Sequence, residues 1–367
     1  MKRVVLSVIF VIMTIASLHA QNNNTYTVKT NSENVKISIN GSESDESLPF
    51  NDNRSDTIQL SINVDPLYLG IQTDIDSLKL LIPADQKYIF NIRKEVMQPF
   101  VLIINHGLGI DSISFDKAAQ DFKFKFVYEK GTDNPYLQEL RTEYPIDSIA
   151  ATGTTDIEKV RHIASWVHNL WQHDGMNEPK QNDALYILDQ VRQGQRFRCV
   201  EYGIVTTACL NAIGLPSRTL SLKTKNVETT PSGAGHVVME VFLKDLNKWV
   251  MVDPQWDAIP YLENTPLNAV EFQDAITQKK NIDIKSSDIE FNKFQYESWI
   301  YPYLYYFSCK FDNRENIPKE ARITIEGKTD LMLVPTGSKE PTVFQRRFPI
   351  NYCIYTNSLS DFYGNPY

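Results

Sequence analysis

Apolar and polar positions alternate with a period of two along the first third of the chain, as in Val35-Lys36-Ile37-Ser38-Ile39 and Ile58-Gln59-Leu60-Ser61-Ile62-Asn63-Val64. Runs of this kind recur from residue 25 to about 115 between Asn-, Asp-, Ser- and Gly-rich turns, which predicts short strands of an all-β sandwich. Near Thr154 the period changes. Ile157, Val160, Ile163, Ala164, Val167, Leu170 and Trp171 repeat at three and four, one apolar helical face behind the capping-box pair Thr155 and Glu158. A second helix is predicted over 183–191 and a third from Cys199 to Ile213, stopped by Gly214 and Pro216. Strand patterns return at 218–222, 236–243 and 249–252, the last two joined by a turn over 244–248. Helices followed by an antiparallel meander make an α+β domain. The polar stretch 223–235 reads as an exposed loop. Beyond Pro260 an aromatic run at 299–307 reads as core, and weak strand signals follow at 321–325 and 331–334. These define a C-terminal region packed on the α+β core.

The N-terminus is not fold. Lys2 and Arg3 precede an apolar stretch over 4–17, and Ala20 stands before Gln21, the pattern of a secretory signal cleaved after Ala20. The apolar stretch is short of the roughly 20 residues a spanning helix needs, and no later run reaches that length. The expected organisation is a signal peptide over 1–20, an N-terminal β-rich domain over 21–125, an α+β domain over 126–262 and an aromatic-rich region over 263–367. At 42% apolar and 22% charged residues the chain has ample material for packed cores. Its 37 basic against 45 acidic residues give −8, and losing Lys2 and Arg3 makes that −10. An acidic chain argues against nucleic acid as a partner. The expectation is a secreted or periplasmic protein with no transmembrane segment after cleavage.

Four cysteines are too few for a disulfide scaffold. Cys199 opens the third helix, where unpaired backbone N–H groups and the positive end of the helix dipole favour thiolate over thiol, with Arg198 alongside. His236 begins an apolar strand directly after Gly233-Ala234-Gly235, where small residues leave room for a substrate. Asp253 ends the next strand, and a hairpin turning at 244–248 brings His236 and Asp253 to the same open end. A nucleophile at a helix start, a base on one strand and an orienting carboxylate on the next follow the Cys–His–acid logic of acyl transfer through a thioester.

These residues resemble a family. Phe197-Arg198-Cys199-Val200-Glu201-Tyr202-Gly203, Ala212-Ile213-Gly214-Leu215-Pro216-Ser217-Arg218, His236-Val237-Val238-Met239-Glu240 and Lys248-Trp249-Val250-Met251-Val252-Asp253-Pro254 are similar, in that order, to four blocks of the transglutaminase-like superfamily. The resemblance covers roughly 155–256. It implies an α+β papain-like core, with Cys199, His236 and Asp253 as nucleophile, base and acid. The Cys–His gap of 37 residues is far shorter than that of papain-like proteases. The sequence departs from the family in carrying Gly194, not an adjacent glycine, before the cysteine. Trp171, 28 residues upstream of Cys199, stands broadly where animal transglutaminases carry an oxyanion-stabilising Trp; Gln181 and Asn182 are polar alternatives, and the Cys199 backbone N–H is another donor. The calcium sites of the animal enzymes have no counterpart, and no cofactor is implied.

His162, His168 and His173 cluster on the first helix, but 162 and 173 share a face while 168 points about 120° away at 100° per residue, and no HExxH is present. Solvent-facing or capping roles fit them better than metal. Cys209 lies roughly 15 Å along the helix from Cys199 and reads as core. Cys309 and Cys353 could pair in an oxidising compartment or remain buried thiols. The expected function is action on amide bonds of a peptide or protein substrate, with hydrolysis favoured because an exported thioester meets water in excess over any amine. Cross-linking acyl transfer, and a non-catalytic binding or structural protein retaining the fold, are the alternatives.

Overall fold

The computed structural model describes residues 24–31, 35–39, 42–43, 57–62, 67–83, 86–94, 100–106, 113–117, 124–129, 134–289 and 291–367. The signal peptide expected over 1–20 lies outside them. The architecture is mixed α+β, with an N-terminal β-strand region ahead of the α+β core.

In the N-terminal region the described strands are β1 (Thr25–Thr30), β2 (Lys36–Ile39), β3 (Ser42–Glu43), β4 (Thr57–Ile62), β5 (Leu67–Gln72), β6 (Ser77–Ile82), β7 (Gln86–Lys94) and β8 (Phe100–His106). They form two four-stranded sheets, β1-β7-β8-β4 and β3-β2-β5-β6. Alternation fixes which side chains meet: Val28, Phe90 and Ile92 of one sheet pack on Ile37, Leu69 and Ile71 of the other, as inward-facing residues of a sandwich do. Within the first sheet β1 runs parallel to β7, and β4 parallel to β8.

Five helices precede the central sheet: α1 (Pro135–Glu143), α2 (Ile146–Ala150), α3 (Asp156–His168), α4 (Ala184–Arg192) and α5 (Cys199–Ala212). The Thr155 hydroxyl accepts from the Glu158 N–H at 3.3 Å while the Glu158 carboxylate accepts from the Thr155 N–H at 3.1 Å, the reciprocal bonds that start α3. Helix α3 stops at His168, so Leu170 and Trp171 lie beyond it. Helix α5 ends where Gly214 takes φ 81°, a left-handed conformation suited to glycine. Helices α1 and α2 lie outside the sequence expectation; Asn134, whose side chain caps the Tyr136 N–H at 2.9 Å, followed by Pro135 was their one local signal.

The meander follows as β9 (Ser217–Lys223), β10 (Gly235–Leu243) and β11 (Lys248–Val252). The rest of the chain adds β12 (Ile259–Leu262), β13 (Thr265–Pro266), α6 (Ala269–Thr277), β14 (Ile282–Lys285), α7 (Lys293–Ile300), β15 (Tyr306–Lys310), β16 (Asp330–Leu333), β17 (Val343–Phe344), β18 (Phe348–Pro349), β19 (Cys353–Thr356) and α8 (Leu359–Phe362). The C-terminal region does more than pack on the core. Strands β15, β16 and β19 extend the meander into one six-stranded sheet, β11-β10-β9-β15-β16-β19. Both faces of this sheet are covered. Helices α1–α5 bury Met239, Val241, Val250 and Val252 on one face, and α6 and α7 bury Leu220, Leu222, Val238 and Met251 on the other.

One sequence expectation needs correction. The stretch at 321–325 is not a strand; residues 319–321 make a 3₁₀ turn, and Ile325 forms one bridge to Lys328. Residues 224–234 form the expected loop, exposed at 225, 226, 229 and 231–233, but it is anchored at two points. Val227 is fully buried, its carbonyl accepts from the Gln345 N–H at 2.8 Å, and Gln345 Oε1 accepts from the Ala234 N–H at 3.1 Å, so the C-terminal region straps it down. Of the two alternatives read for Cys309 and Cys353, the buried thiols hold and the two do not pair. Strand β16 runs between theirs, and the two thiols enter different apolar clusters. All four cysteines are free thiols.

Candidate active site

The start of α5 is held from within. The fully buried Glu201 reaches back three residues, accepting the Arg198 backbone N–H at 3.0 Å and its guanidinium at 2.7 Å. Arg198 also pairs with Glu178 at 3.1 Å, so its charge is spent on two carboxylates and not directed at the thiol. Cys199 is left as the first helical residue, partly exposed, with its backbone N–H among those no intrahelical carbonyl can reach. One turn on, Gly203 lets the helix lie on the sheet: a Cβ there would come within 3.1 Å of Val237 Cγ1 and 3.5 Å of the Val238 carbonyl. That close approach sets Cys199 beside the strand that carries His236.

His236 and Asp253 meet as the hairpin geometry requires. Met239 pairs with Val252, so Asp253 comes one step past the last pair and shares a face with His236 and Val238. His236 Nε2 lies 2.8 Å from Asp253 Oδ2, with both side chains buried. Tyr296 Oη of α7 donates to the same oxygen at 3.1 Å, and the Gln255 backbone N–H donates to Oδ1 at 3.1 Å, so both carboxylate oxygens are engaged. With Nε2 spent on Asp253, His236 presents Nδ1 to the thiol. Trp299 stands edge-to-face on the imidazole at 4.7 Å and Tyr303 lies at 5.9 Å, so the aromatic run read from sequence as core forms the wall behind the histidine.

Burial opposes a thiolate at Cys199 and is the largest single influence on it. Hydrogen bonds from the His173 and His236 rings, the His236 charge and the Val237 backbone N–H together outweigh it and bring the thiol down to about 6. Burial likewise opposes a charge on His236, but the Asp253 carboxylate, its hydrogen bond and then Cys199 push the imidazole up to about 10. Both shifts favour the same pair, a thiolate and an imidazolium, and the two groups titrate as one unit. The other thiols are different in kind. Burial pushes Cys309 and Cys353 up to about 12 and Cys209 higher still.

The remaining sequence candidates separate. Trp171 packs flat on Tyr202 at 4.2 Å and edge-on to Phe197 at 6.4 Å, with its Nε1 buried and without a hydrogen-bond partner. Gln181 and Asn182 are exposed just before α4. The three histidines stand apart. His162 Nδ1 meets the Thr152 hydroxyl at 2.7 Å, His168 Nδ1 meets the Gln255 carbonyl at 3.0 Å, and His173, placed on the same helix by the sequence reading, lies five residues beyond the end of α3. His173 is exposed, as read from sequence, and its ring is among the groups that lower the Cys199 thiol. Tyr296 escaped the sequence, since nothing in its spacing points to Asp253.

Fold and site together define an α+β core of the kind on which cysteine-dependent acyl-transfer enzymes are built. Residues 146–254 match the model of the Transglutaminase-like superfamily, and they form a transglutaminase-like domain. Among solved structures the chain is similar to a candidate cysteine protease of Cytophaga hutchinsonii, at 15% identity over 45% of this chain and 59% of that one, with a TM-score of 0.27. It is similar to red sea bream transglutaminase at 11% identity, covering 48% of this chain and 43% of that one, with a TM-score of 0.24. It is also similar to the periplasmic domain of TgpA from Pseudomonas aeruginosa at 14% identity, covering 62% of this chain and 91% of that one, with a TM-score of 0.27. The chain therefore spans less than two thirds of the first two proteins. No curated protein matches it. Among the described residues no helix is long and apolar enough to cross a membrane.

Proposed function

We propose that the chain is an exported thiol enzyme that hydrolyses amide bonds in peptides or proteins, with Cys199 as nucleophile, His236 as acid and base, and Asp253 as the group that orients His236. The observation that carries this reading is the His236–Asp253 contact of 2.8 Å beside a thiol brought down to about 6. The Cys199 thiolate attacks the carbonyl carbon and the carbonyl π pair moves onto oxygen. As the C–N bond breaks, His236 Nδ1–H gives its proton to the departing amine, leaving a thioester. Neutral His236 then takes a proton from water, the hydroxide attacks the thioester carbon, and the C–S bond breaks to return the thiolate. Asp253 holds Nε2–H throughout and stabilises each imidazolium stage. Hydrolysis is favoured over amine transfer because Cys199 is partly exposed and an acyl group there meets water first.

Export is compatible with this chemistry. The other three cysteines are buried and separated from Cys199, so an oxidising compartment offers the nucleophile no partner within the chain. The test is a mixed peptide library incubated with a tagged primary amine and read by mass spectrometry. Wild type should release fragments with new C-terminal carboxylates that Cys199→Ala does not release. Fragments or side chains carrying the amine would make the chain a transferase, and no Cys199-dependent product of either kind would leave a non-catalytic binding protein.

A further inference from the structure

We infer that Phe344, at the end of β17, is a specificity-determining residue whose ring walls a subsite for a large apolar side chain next to the scissile amide. The inference rests on the reading of Cys199 as the nucleophile of an amide hydrolase, and it names the peptides that enzyme takes.

Two glycines place the ring. Helix α5 runs in the same direction as β10. At the far end of the helix the Ser217 N–H donates to Asn211 Oδ1 at 2.9 Å, and Ser217 pairs with Val241, so the start of α5 lies towards the start of β10. Gly203 packs on Val237, and Cys199 lies one turn before it, roughly 6 Å back along the helix. Gly235 stands two residues before Val237, about 7 Å back along the strand and on the same face. The space over Gly235 holds Phe344: a Cβ there would come within 3.0 Å of the ring's Cε2 and Cζ. At Gly233, the other glycine before His236, a Cβ would meet nothing within 4 Å. Nucleophile and ring thus stand at the same end of β10, where the strand delivers His236.

The hairpin of β17 and β18 fixes the ring. Its turn sets Gln345 and Arg346 at φ 51° and 60°, a left-handed conformation that is costly without glycine and persists where neighbours hold it. The neighbours are residues of the loop that leads into His236. The Gln345 N–H donates to the Val227 carbonyl at 2.8 Å, Gln345 Oε1 accepts from the Ala234 N–H at 3.1 Å, and Arg346 Nε donates to the Thr229 carbonyl. Glu228 accepts from the Thr342 N–H at 2.9 Å and from its hydroxyl at 3.0 Å. Across the hairpin Phe348 pairs with Phe344, with ring centroids 6.4 Å apart, and is 52% exposed. The two rings make an apolar strip from the nucleophile's end of β10 out to solvent. A leucine, phenylalanine or tyrosine of a bound peptide would bury that strip, whereas a neutral polar side chain laid on it would give up water for no hydrogen bond.

The peptide library, read by mass spectrometry for the two residues that flank each cleaved bond, tests the assignment. On one side of the bond, wild type should favour Leu, Phe or Tyr over Gln, Asn, Ser or Thr by about tenfold or more. In Phe344→Ala that ratio should fall to within about threefold of unity, while Phe344→Leu, which keeps an apolar wall, retains most of it. Gly235→Ala presses a Cβ on the ring and moves it into the subsite, so it should lower the ratio about threefold with Phe344 present and no further in Phe344→Ala. Cys209, Cys309 and Cys353, buried in the folded protein, should stay closed to iodoacetamide in each variant, which checks folding. A wild type without apolar preference on either side, or a preference that survives in Phe344→Ala or is unmoved in Gly235→Ala, overturns the assignment. So does a fall in cleavage that is equal at every bond. A wild type that releases no Cys199-dependent fragments removes the hydrolase reading itself, and the subsite with it.

Discussion

Cys199→Ala should lower kcat/KM for amide cleavage by at least about 10⁴-fold while leaving the folded state as stable as wild type. The loss is large because nucleophile and base act as a unit, and without the sulfur no thioester forms whatever else the site retains. Stability should hold for local reasons. Cys199 is partly exposed at the first position of α5, and alanine is a better helix former than cysteine. The His236–Asp253–Tyr296 bonds do not pass through the sulfur. Initial rates on the best peptide from the library screen, with thermal denaturation of both proteins, check the two halves. A variant that keeps even a tenth of the activity would place the chemistry elsewhere.

Arg218→Leu should destabilise the fold by about 3–5 kcal/mol, the cost of leaving one member of a buried ion pair without its partner. Arg218 on β9 lies directly opposite Glu240 on β10, and both are fully buried. Arg218 Nη2 is 2.7 Å from Glu240 Oε2, and Nη1 donates to the Phe362 carbonyl at 3.0 Å. The guanidinium also stacks over Trp249 at 4.3 Å. Glu240 Oε1 accepts from Tyr363 Oη at 3.0 Å and the Ala269 N–H at 3.1 Å. The pair thus ties the C-terminal helix α8 and the start of α6 to the meander. Removing only the guanidinium leaves a buried carboxylate facing two neutral donors. Arg218→Leu with Glu240→Leu removes both charges and should regain most of the loss. Denaturant unfolding of the three proteins decides it. A double variant no more stable than the single would mean that packing, and not the orphaned charge, sets the cost.

These residues show how much of the site is legible in the sequence. Cys199, His236 and Asp253 each carry a local signal: a helix start closed by Gly214, a strand opening behind small residues, a strand end before Pro254. Their juxtaposition then follows from a single hairpin register. Arg218 and Glu240 fell within the family blocks, and their pairing follows from a second register, that of β9 on β10. His173 had no such signal, because its segment is set by bonds between 172–178 and 195–198 that no periodicity records. Tyr296 reaches Asp253 from 43 residues away for the same reason. The C-terminal strands were hardest. Strand β15 spans five residues, too short to tell from buried helix by pattern, and its pairing with β9 is non-local; β16 coincides with the weak signal at 331–334, but its place beside β15 had no local sign. Helix α6 was readable in principle: Asn268 and Glu271 form a capping box, and Phe272, Ala275 and Ile276 make its buried face.

The pH dependence of iodoacetamide alkylation, followed at each cysteine by mass spectrometry, tests the central claim most directly. If Cys199 is held as a thiolate by His236, its alkylation in wild type rises through a midpoint near 6 and then levels off, while Cys209, Cys309 and Cys353 stay unmodified in the folded protein. In His236→Ala, which removes the positive charge and one hydrogen bond, the midpoint moves up towards the ordinary thiol value of about 8.5. A wild-type midpoint already near that ordinary value and indifferent to His236→Ala, or equal labelling of all four cysteines, would contradict it.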